Sequence, residues 1–196
     1  MEKITSLAEL EKAFSIKALS EVSEVKNYDE YFRMLAESLF CNFQVRNGDD
    51  VFRFVEIEFY LKDTETENEK IAYKRETLAG EWYLHNSGVD LSFESNDDFY
   101  GGILIRAMKQ SKSYHDAGEF INGPRKCSWY ILDGLNAFGK NERCGRVEEA
   151  EVREDIALRT FTRQGITGDD KQFRFTIPLD MWEHKGYSGF PKETAK

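Results

Sequence analysis

Two glutamates separated by a single residue, Glu56 and Glu58, lie in a stretch of β-branched and aromatic residues. That stretch, VFRFVEIEFYL at 51–61, contains no Gly or Pro and predicts a β-strand. Because side chains alternate between the faces of a strand, one face is expected to carry Phe52, Phe54, Glu56, Glu58 and Tyr60. A carboxylate beside an aromatic ring can act as a general base, but a solvated strand face explains the same pattern.

A single arginine, Arg106, interrupts an apolar segment, GILIRAM at 102–108, which predicts a central strand. A guanidinium buried there needs an anionic partner, because an unpaired buried charge is strongly destabilising. Glu56 or Glu58 is the expected partner. The pair has two interpretations: an ion pair that only supports the fold, or a general base held and oriented by the guanidinium.

A hairpin follows the first strand: 82–85 and 89–93 predict two strands joined by Asn86-Ser87-Gly88. Tyr83 and His85 on this hairpin, together with Tyr60, could form an aromatic pocket for a flat ligand. Packing in the core is the alternative for the same rings. A Ser87/His85/Asp90 triad is rejected, because neighbours in one turn cannot adopt the geometry that a nucleophile needs.

The sequence predicts no metal site and no cofactor. Cys41, Cys127 and Cys144 lie far apart and lack the close spacing of zinc ligands or of a disulfide framework. His115 and His184 also lack metal-ligand spacing, and no glycine-rich phosphate loop is present.

The remaining patterns predict a mixed α and β chain. Ser6 and Glu9 form a capping box that opens a helix through about Phe14, and a loosely patterned polar stretch follows it to Asn27. Further predicted elements are an amphipathic helix at 28–40, a helix at 127–132 after Gly123-Pro124, and strands at 156–161 and 173–177. We therefore expect an α+β fold with an N-terminal helical appendage, 1–26, and a single domain, 27–196.

Charge and hydropathy limit the partners. No stretch approaches the roughly 20 apolar residues of a membrane span, and the acidic N-terminus differs from a signal peptide, so we expect a cytoplasmic protein without membrane contact. The net charge of −9 disfavours nucleic-acid binding over the whole surface. The segment 101–146 is the exception, with eight basic and four acidic residues, so one basic face is expected.

Four segments, in this order, resemble the alkyladenine (3-methyladenine) DNA glycosylase family. The segments are VEIEFY at 55–60, like the family's V-E-T-E-A-Y; GEWYLH at 80–85, like G-T-L-Y-V-Y; GGILIRAM at 101–108, like V-L-L-R-A-L; and NGPRKC at 122–127, like G-P-x-K-L-C. The resemblance covers about residues 51–132, with a weaker match at 172–178. It implies a curved, mostly antiparallel sheet flanked by helices.

The resemblance also implies roles for particular residues. The water-activating glutamate corresponds to Glu58, the arginine near the nucleophilic water to Arg106, and the two base-stacking residues to Tyr60 and His85. The chain departs from the family in three ways. His85 replaces a tyrosine, the base-contacting histidine expected after Tyr60 is absent, and the hairpin is short and carries no large apolar residue at its tip.

The expected activity is hydrolysis of the N-glycosidic bond of a modified purine in nucleic acid, as in base-excision repair of DNA. Two alternatives stay open: a nucleoside or nucleotide N-glycosidase, and a catalytically inactive module that binds a nucleotide or a partner. DNA or a nucleotide is the candidate partner, and phosphates are expected to pass Lys109, Arg125 and Lys126. The sequence sets no oligomeric state.

Overall fold

Helices flank an antiparallel sheet in the computed structural model, which describes residues 2–63, 71–135, 138 and 143–178. In these residues it contains the helices α1 (Leu7–Ala13), α2 (Ile16–Val25), α3 (Tyr28–Asn42) and α4 (Pro124–Ile131). The strands are β1 (Phe43–Asn47), β2 (Asp50–Lys62), β3 (Trp82–His85), β4 (Gly88–Ser92), β5 (Tyr100–Gln110), β6 (Glu119–Asn122), β7 (Arg146–Glu149), β8 (Arg159–Phe161) and β9 (Arg174–Thr176). The α+β class and the mostly antiparallel, curved sheet are confirmed, since the sheet curls into a half-barrel.

The two longest strands, β2 and β5, form the centre of the sheet. The order is β3-β4-β5-β2-β1-β7, while β6 pairs with β5, and β9 pairs with β2 and β8. Gly101 allows the two central strands to approach, because a Cβ there would lie 2.1 Å from the Tyr60 carbonyl oxygen. Residues of β2 and β5 at this end of the sheet are therefore close enough to form one site.

The predicted alternation along β2 is interrupted. The register against β5 shifts between Phe54 and Glu56, and again between Glu56 and Ile57. A bulge of this kind re-aims side chains on the bulged strand. Strict alternation is therefore interrupted between Phe54 and Glu56. Glu56 and Glu58 stay on one face, where Arg106 bonds to both, and the Tyr60 hydroxyl bonds to Glu58.

The N-terminal helices pack on the same core as the sheet. The predicted capping box is confirmed, because the Ser6 hydroxyl accepts from the Glu9 N–H and the Glu9 carboxylate accepts from the Ser6 N–H. The loosely patterned stretch was wrong, because α2 occupies it and buries Leu19 and Val22. The division of the chain at residue 26 stays a prediction.

The amphipathic helix predicted at 28–40 is confirmed as α3, which continues to Asn42 and leads directly into β1. Its Phe32 ring stacks on Phe59 of β2 with ring centroids 4.5 Å apart. Helix α3 therefore covers one face of the central strands, and the candidate site lies on the opposite face. None of the helices in the described residues is long and apolar enough to cross a membrane.

Candidate functional site

Arg106 binds both glutamates of the neighbouring strand. Its Nε lies 2.9 Å from Glu56 Oε1, and its Nη1 lies 3.0 Å from Glu58 Oε2. The predicted pairing is confirmed, and it includes both acids that were considered as partners. A third strand contributes Arg174, whose Nη1 lies 3.6 Å from Glu56 Oε1. We name Glu56, Glu58, Arg106 and Arg174 the Arg106 cluster.

Glu58 is held on three sides and is fully buried. Its Oε2 accepts from the Tyr60 hydroxyl at 2.8 Å as well as from Arg106, and its Oε1 accepts from the Gln164 backbone N–H at 2.8 Å. A carboxylate offers about four acceptor positions, so the described residues fill most of them. This geometry fixes the carboxylate in place and shields it from solvent.

Burial shifts two pKa values in this cluster. It raises the pKa of Glu56 above the ordinary 4.5, against the opposing effect of Arg106 and Arg174. Burial and then the Glu58 carboxylate raise the pKa of Tyr60 far above the ordinary 10.0. The Tyr60 phenol therefore keeps its proton and remains a hydrogen-bond donor to Glu58.

A cavity of about 270 Å³ lies on the other side of Tyr60. Tyr60, Tyr73, His85, Asp90 and Gln164 are among its lining residues. Glu58 is not one of them and lies one side chain behind the wall, bonded to Tyr60 and Gln164. The structure thus brings the predicted Tyr60 and His85 to one cavity and places Glu58 and Arg106 behind it.

His85 is locked as a flat wall of this cavity. The Ser87 N–H donates to its Nδ1 at 3.2 Å, so the ring proton lies on Nε2, which donates to Asp90 Oδ1 at 2.9 Å. Its ring lies 4.7 Å from the Tyr73 ring and 5.9 Å from the Tyr83 ring, centroid to centroid. With both nitrogens bonded within the hairpin, His85 contributes its ring, and no free nitrogen, to the cavity lining.

Asp90 and Arg75 form a second buried ion pair. Arg75 Nη2 lies 2.8 Å from Asp90 Oδ2, and the guanidinium carbon lies 4.0 Å from the centroid of the Tyr83 ring. The side chains are 1% and 3% exposed, so the pair is shielded from solvent. We name Arg75, His85 and Asp90 the Asp90 cluster.

The hairpin turn explains why the Asp90 cluster was not predicted. The predicted three-residue turn would put Asp90 and His85 on opposite faces, whereas the observed turn contains only Asn86 and Ser87. His85 therefore pairs with Gly88, and Tyr83 pairs with Asp90. A change of one residue in register moves a side chain to the other face of a strand. Rejection of the triad was sound, because Ser87 reaches His85 through its backbone N–H.

A loop closed by Arg163 and Asp169 positions Gln164. The two side chains form a double contact, with Nε 2.8 Å from Oδ2 and Nη2 2.9 Å from Oδ1, and Arg163 Nη1 donates to the Phe59 carbonyl oxygen. Gln164 Oε1 in turn accepts from Arg106 Nη2. Gln164 and Tyr73 are thus site residues that the sequence patterns did not indicate, since both lie outside regular elements.

The predicted phosphate-binding residues do not lie together. Arg125 Nε donates to the carbonyl oxygen of Asn86 at 2.9 Å, which places Arg125 at the hairpin tip beside the cavity. Lys126 follows it on α4 and is exposed. Lys109 lies towards the far end of β5, where its amine donates to the Tyr114 carbonyl oxygen at 2.7 Å.

In the part of the chain that the structure describes, no group of three or more His, Cys, Asp or Glu residues could hold a metal ion. His115 is an exposed loop residue, and His184 lies outside the described residues. No family model matches the chain, and no curated protein matches it.

Proposed function

We propose that the protein binds a purine-like base in the 270 Å³ cavity and hydrolyses its N-glycosidic bond, as the resemblance to the alkyladenine DNA glycosylases implies. The observation that carries the proposal is the contact chain from the cavity to the carboxylate. Tyr60 lines the cavity and donates to Glu58, and Arg106 orients the same carboxylate. An aromatic wall for a base and an oriented buried acid are thus separated by one side chain.

The reaction uses Glu58 as the general base. Glu58 takes a proton from a water whose oxygen attacks C1′ of the nucleotide, and the N-glycosidic bond breaks with its electron pair leaving on the base, which then takes up a proton. The negative carboxylate also stabilises the positive charge that develops on the sugar. The mechanism needs no lysine Schiff base, so hydrolysis leaves the sugar–phosphate strand intact.

Access to Glu58 requires movement of Gln164. The Gln164 N–H occupies Glu58 Oε1, and its side chain occupies Arg106, so the attacking water needs this residue displaced. Gly165, which follows Gln164, has a φ of +84°. The bound nucleotide is expected to displace Gln164 as it enters the cavity.

A second candidate function is base or nucleotide binding without hydrolysis. The burial of Glu58 favours it, because the carboxylate already has three partners and lies outside the cavity lining. Binding needs only the aromatic wall and the Asp90 cluster, which both line the cavity. Only the first of the two functions releases free base from the bound nucleotide.

The test is release of free base from methylated or deaminated oligonucleotides, single-stranded and duplex, and from the corresponding nucleosides. We expect release by the wild type, a decrease in release by about 10²- to 10⁴-fold in Glu58→Gln, and no change in Glu76→Gln, an exposed control. Full activity of Glu58→Gln would exclude Glu58 as the base. A raised unfolding temperature with these nucleosides, without any release, would establish the binding function instead.

The short hairpin favours a single-stranded or small substrate. Its two-residue turn has no apolar wedge, and a wedge is what offsets the cost of unstacking a base from a duplex.

If nucleic acid binds, Arg125→Ala with Lys126→Ala should lower the salt slope of binding by about one unit for each phosphate that the variant no longer neutralises. An unchanged slope would exclude this surface as the phosphate path.

A further inference from the structure

Asp90 is a buried carboxylate that lines the cavity and retains acceptor capacity. Within the described residues its Oδ1 accepts from His85 and its Oδ2 from Arg75, one bond to each oxygen. Each carboxylate oxygen has two lone-pair positions, so each retains one. Two acceptors of one carboxylate are therefore available side by side at the cavity wall.

Several of the neighbouring polar groups are engaged with the protein. Arg75 donates through Nε to the Tyr73 carbonyl oxygen and through Nη1 to the Ser92 hydroxyl, in addition to its bond to Asp90. Both nitrogens of His85 are bonded, and Gln164 Oε1 accepts from Arg106. The cavity lining thus includes aromatic rings, the Ser87 hydroxyl, the Gln164 amide and the Asp90 carboxylate, whose charge is balanced by Arg75.

We propose that Asp90 makes the cavity selective for a base of the guanine type, whose edge presents a ring N–H and an exocyclic amine in parallel. This inference rests on the proposed function, because it assigns the base that the cavity holds. The two donors of that edge match the two acceptors of one carboxylate in a bidentate pair. Adenine would place a ring acceptor against the carboxylate, and hypoxanthine would offer a single donor.

The residues packed around Asp90 fix the orientation of its carboxylate. A Cβ on Gly102 would lie 3.0 Å from Asp90 Cβ and 3.1 Å from Arg75 Nη1, so the glycine leaves the space that the pair fills. His85 and Arg75 fix the carboxylate from two directions. A polar group held in this way discriminates strongly, because a ligand lacking the matching donors leaves buried acceptors unpaired.

The experiment is equilibrium binding of a nucleoside series to the wild type by calorimetry. We expect guanosine to bind about 10-fold more tightly than inosine, which lacks one donor, and about 100-fold more tightly than adenosine, which lacks the ring N–H donor and opposes an acceptor. Because 1-methylguanosine lacks the ring N–H, it should bind as weakly as inosine or more weakly. Adenosine binding as tightly as guanosine would overturn the selectivity and leave base binding intact. Binding of none of these nucleosides would overturn the proposed function as well.

A variant of Asp90 tests its role in the selectivity, and a second ligand tests whether the glycosidic bond is needed. Asp90→Asn presents one acceptor and one donor, so it can no longer accept from both donors of the guanine edge, and the preference for guanosine over inosine should be lost. The exposed Asp98→Asn should keep the wild-type order. If Asp90→Asn does not fold, the wild-type series decides alone. Pterin has the same edge without a glycosidic bond, so tight binding of pterin with no binding of guanosine would support the edge selectivity and contradict the glycosidic function.

Discussion

The two buried ion-pair clusters lie on opposite sides of the cavity wall, and they differ in what they can contact. The Arg106 cluster is enclosed behind Tyr60 and Gln164, and its Glu58 is completely buried. The Asp90 cluster reaches the cavity directly. The acids of both clusters are buried, so the clusters differ in position: Asp90 lines the cavity, whereas Glu58 lies behind its wall.

Another buried cation, Arg53, shows that burial alone does not make a site. Arg53 is fully buried, yet it donates to the carbonyl oxygens of Phe40, Cys41 and Val152. Two of these residues belong to the last turn of α3, where carbonyl groups carry partial negative charge. Its guanidinium also lies over the Tyr114 ring, at 4.9 Å. Arg53 therefore supports the fold, whereas Arg106 and Arg75 hold acids beside a cavity.

The largest expected effect comes from Arg106→Met. It leaves Glu56 with the more distant Arg174 and Glu58 without a cationic partner, and breaking a buried pair costs about 3–5 kcal/mol. Urea unfolding should show this decrease in stability, while the exposed Arg125→Met should stay within about 0.5 kcal/mol of the wild type. A decrease below about 1 kcal/mol would mean that the Arg106 cluster is hydrated and open.

Gly102→Ala disturbs the Asp90 cluster without touching Arg106. The new Cβ would lie 2.9 Å from the Leu91 carbonyl oxygen and 3.0 Å from Asp90 Cβ, and overpacking of this kind costs about 1–3 kcal/mol. Guanosine affinity should fall with the stability. Gly80→Ala is the control, because its Cβ meets open space and only its φ of +81° adds strain. Unchanged guanosine affinity in Gly102→Ala would mean that Asp90 does not contact the ligand.

Tyr73→Ala should weaken guanosine binding while leaving the stability of the protein almost unchanged. The residue is 49% exposed, so its removal should change the free energy of unfolding by no more than about 0.5 kcal/mol. Stacking of a base on an aromatic ring contributes about 1–3 kcal/mol, and we expect the lower end for this half-exposed ring. Calorimetry with guanosine measures the change. Equal affinity in Tyr73→Ala and the wild type would exclude this ring as a wall for the base.

The effect expected from Asp169→Asn should depend on pH. The hydrogen bonds from Arg163 lower the pKa of Asp169 below its ordinary 3.8, so this carboxylate stabilises the fold above that pH and loses its contribution as the pH falls through its folded pKa. Wild type and variant should therefore differ in urea midpoint at about pH 7, and the difference should shrink as the pH falls below the ordinary pKa of 3.8. A constant difference across this range would contradict the ionic nature of the contact.

The sequence by itself determined the central elements and one of the clusters. The apolar and aromatic runs at 51–61 and 102–108 indicated β2 and β5, and the helical spacing at 28–40 indicated α3. The pairing of Arg106 with Glu56 and Glu58 followed from the cost of burying an unpaired guanidinium. These features are local patterns or direct consequences of burial, so they can be inferred without a fold.

The tertiary structure decided the rest of the site. Glu58 and Gln164 meet across 106 residues of sequence, and such a contact follows only from the packing of β2 against the loop closed by Arg163 and Asp169. The length of one turn decided that Asp90 lies on the same face as His85. A one-residue difference in register has little local signature in the sequence but moves a side chain to the other face, so the position of Asp90 beside His85 depended on the tertiary structure, whereas the pairing of Arg106 with a glutamate of β2 did not.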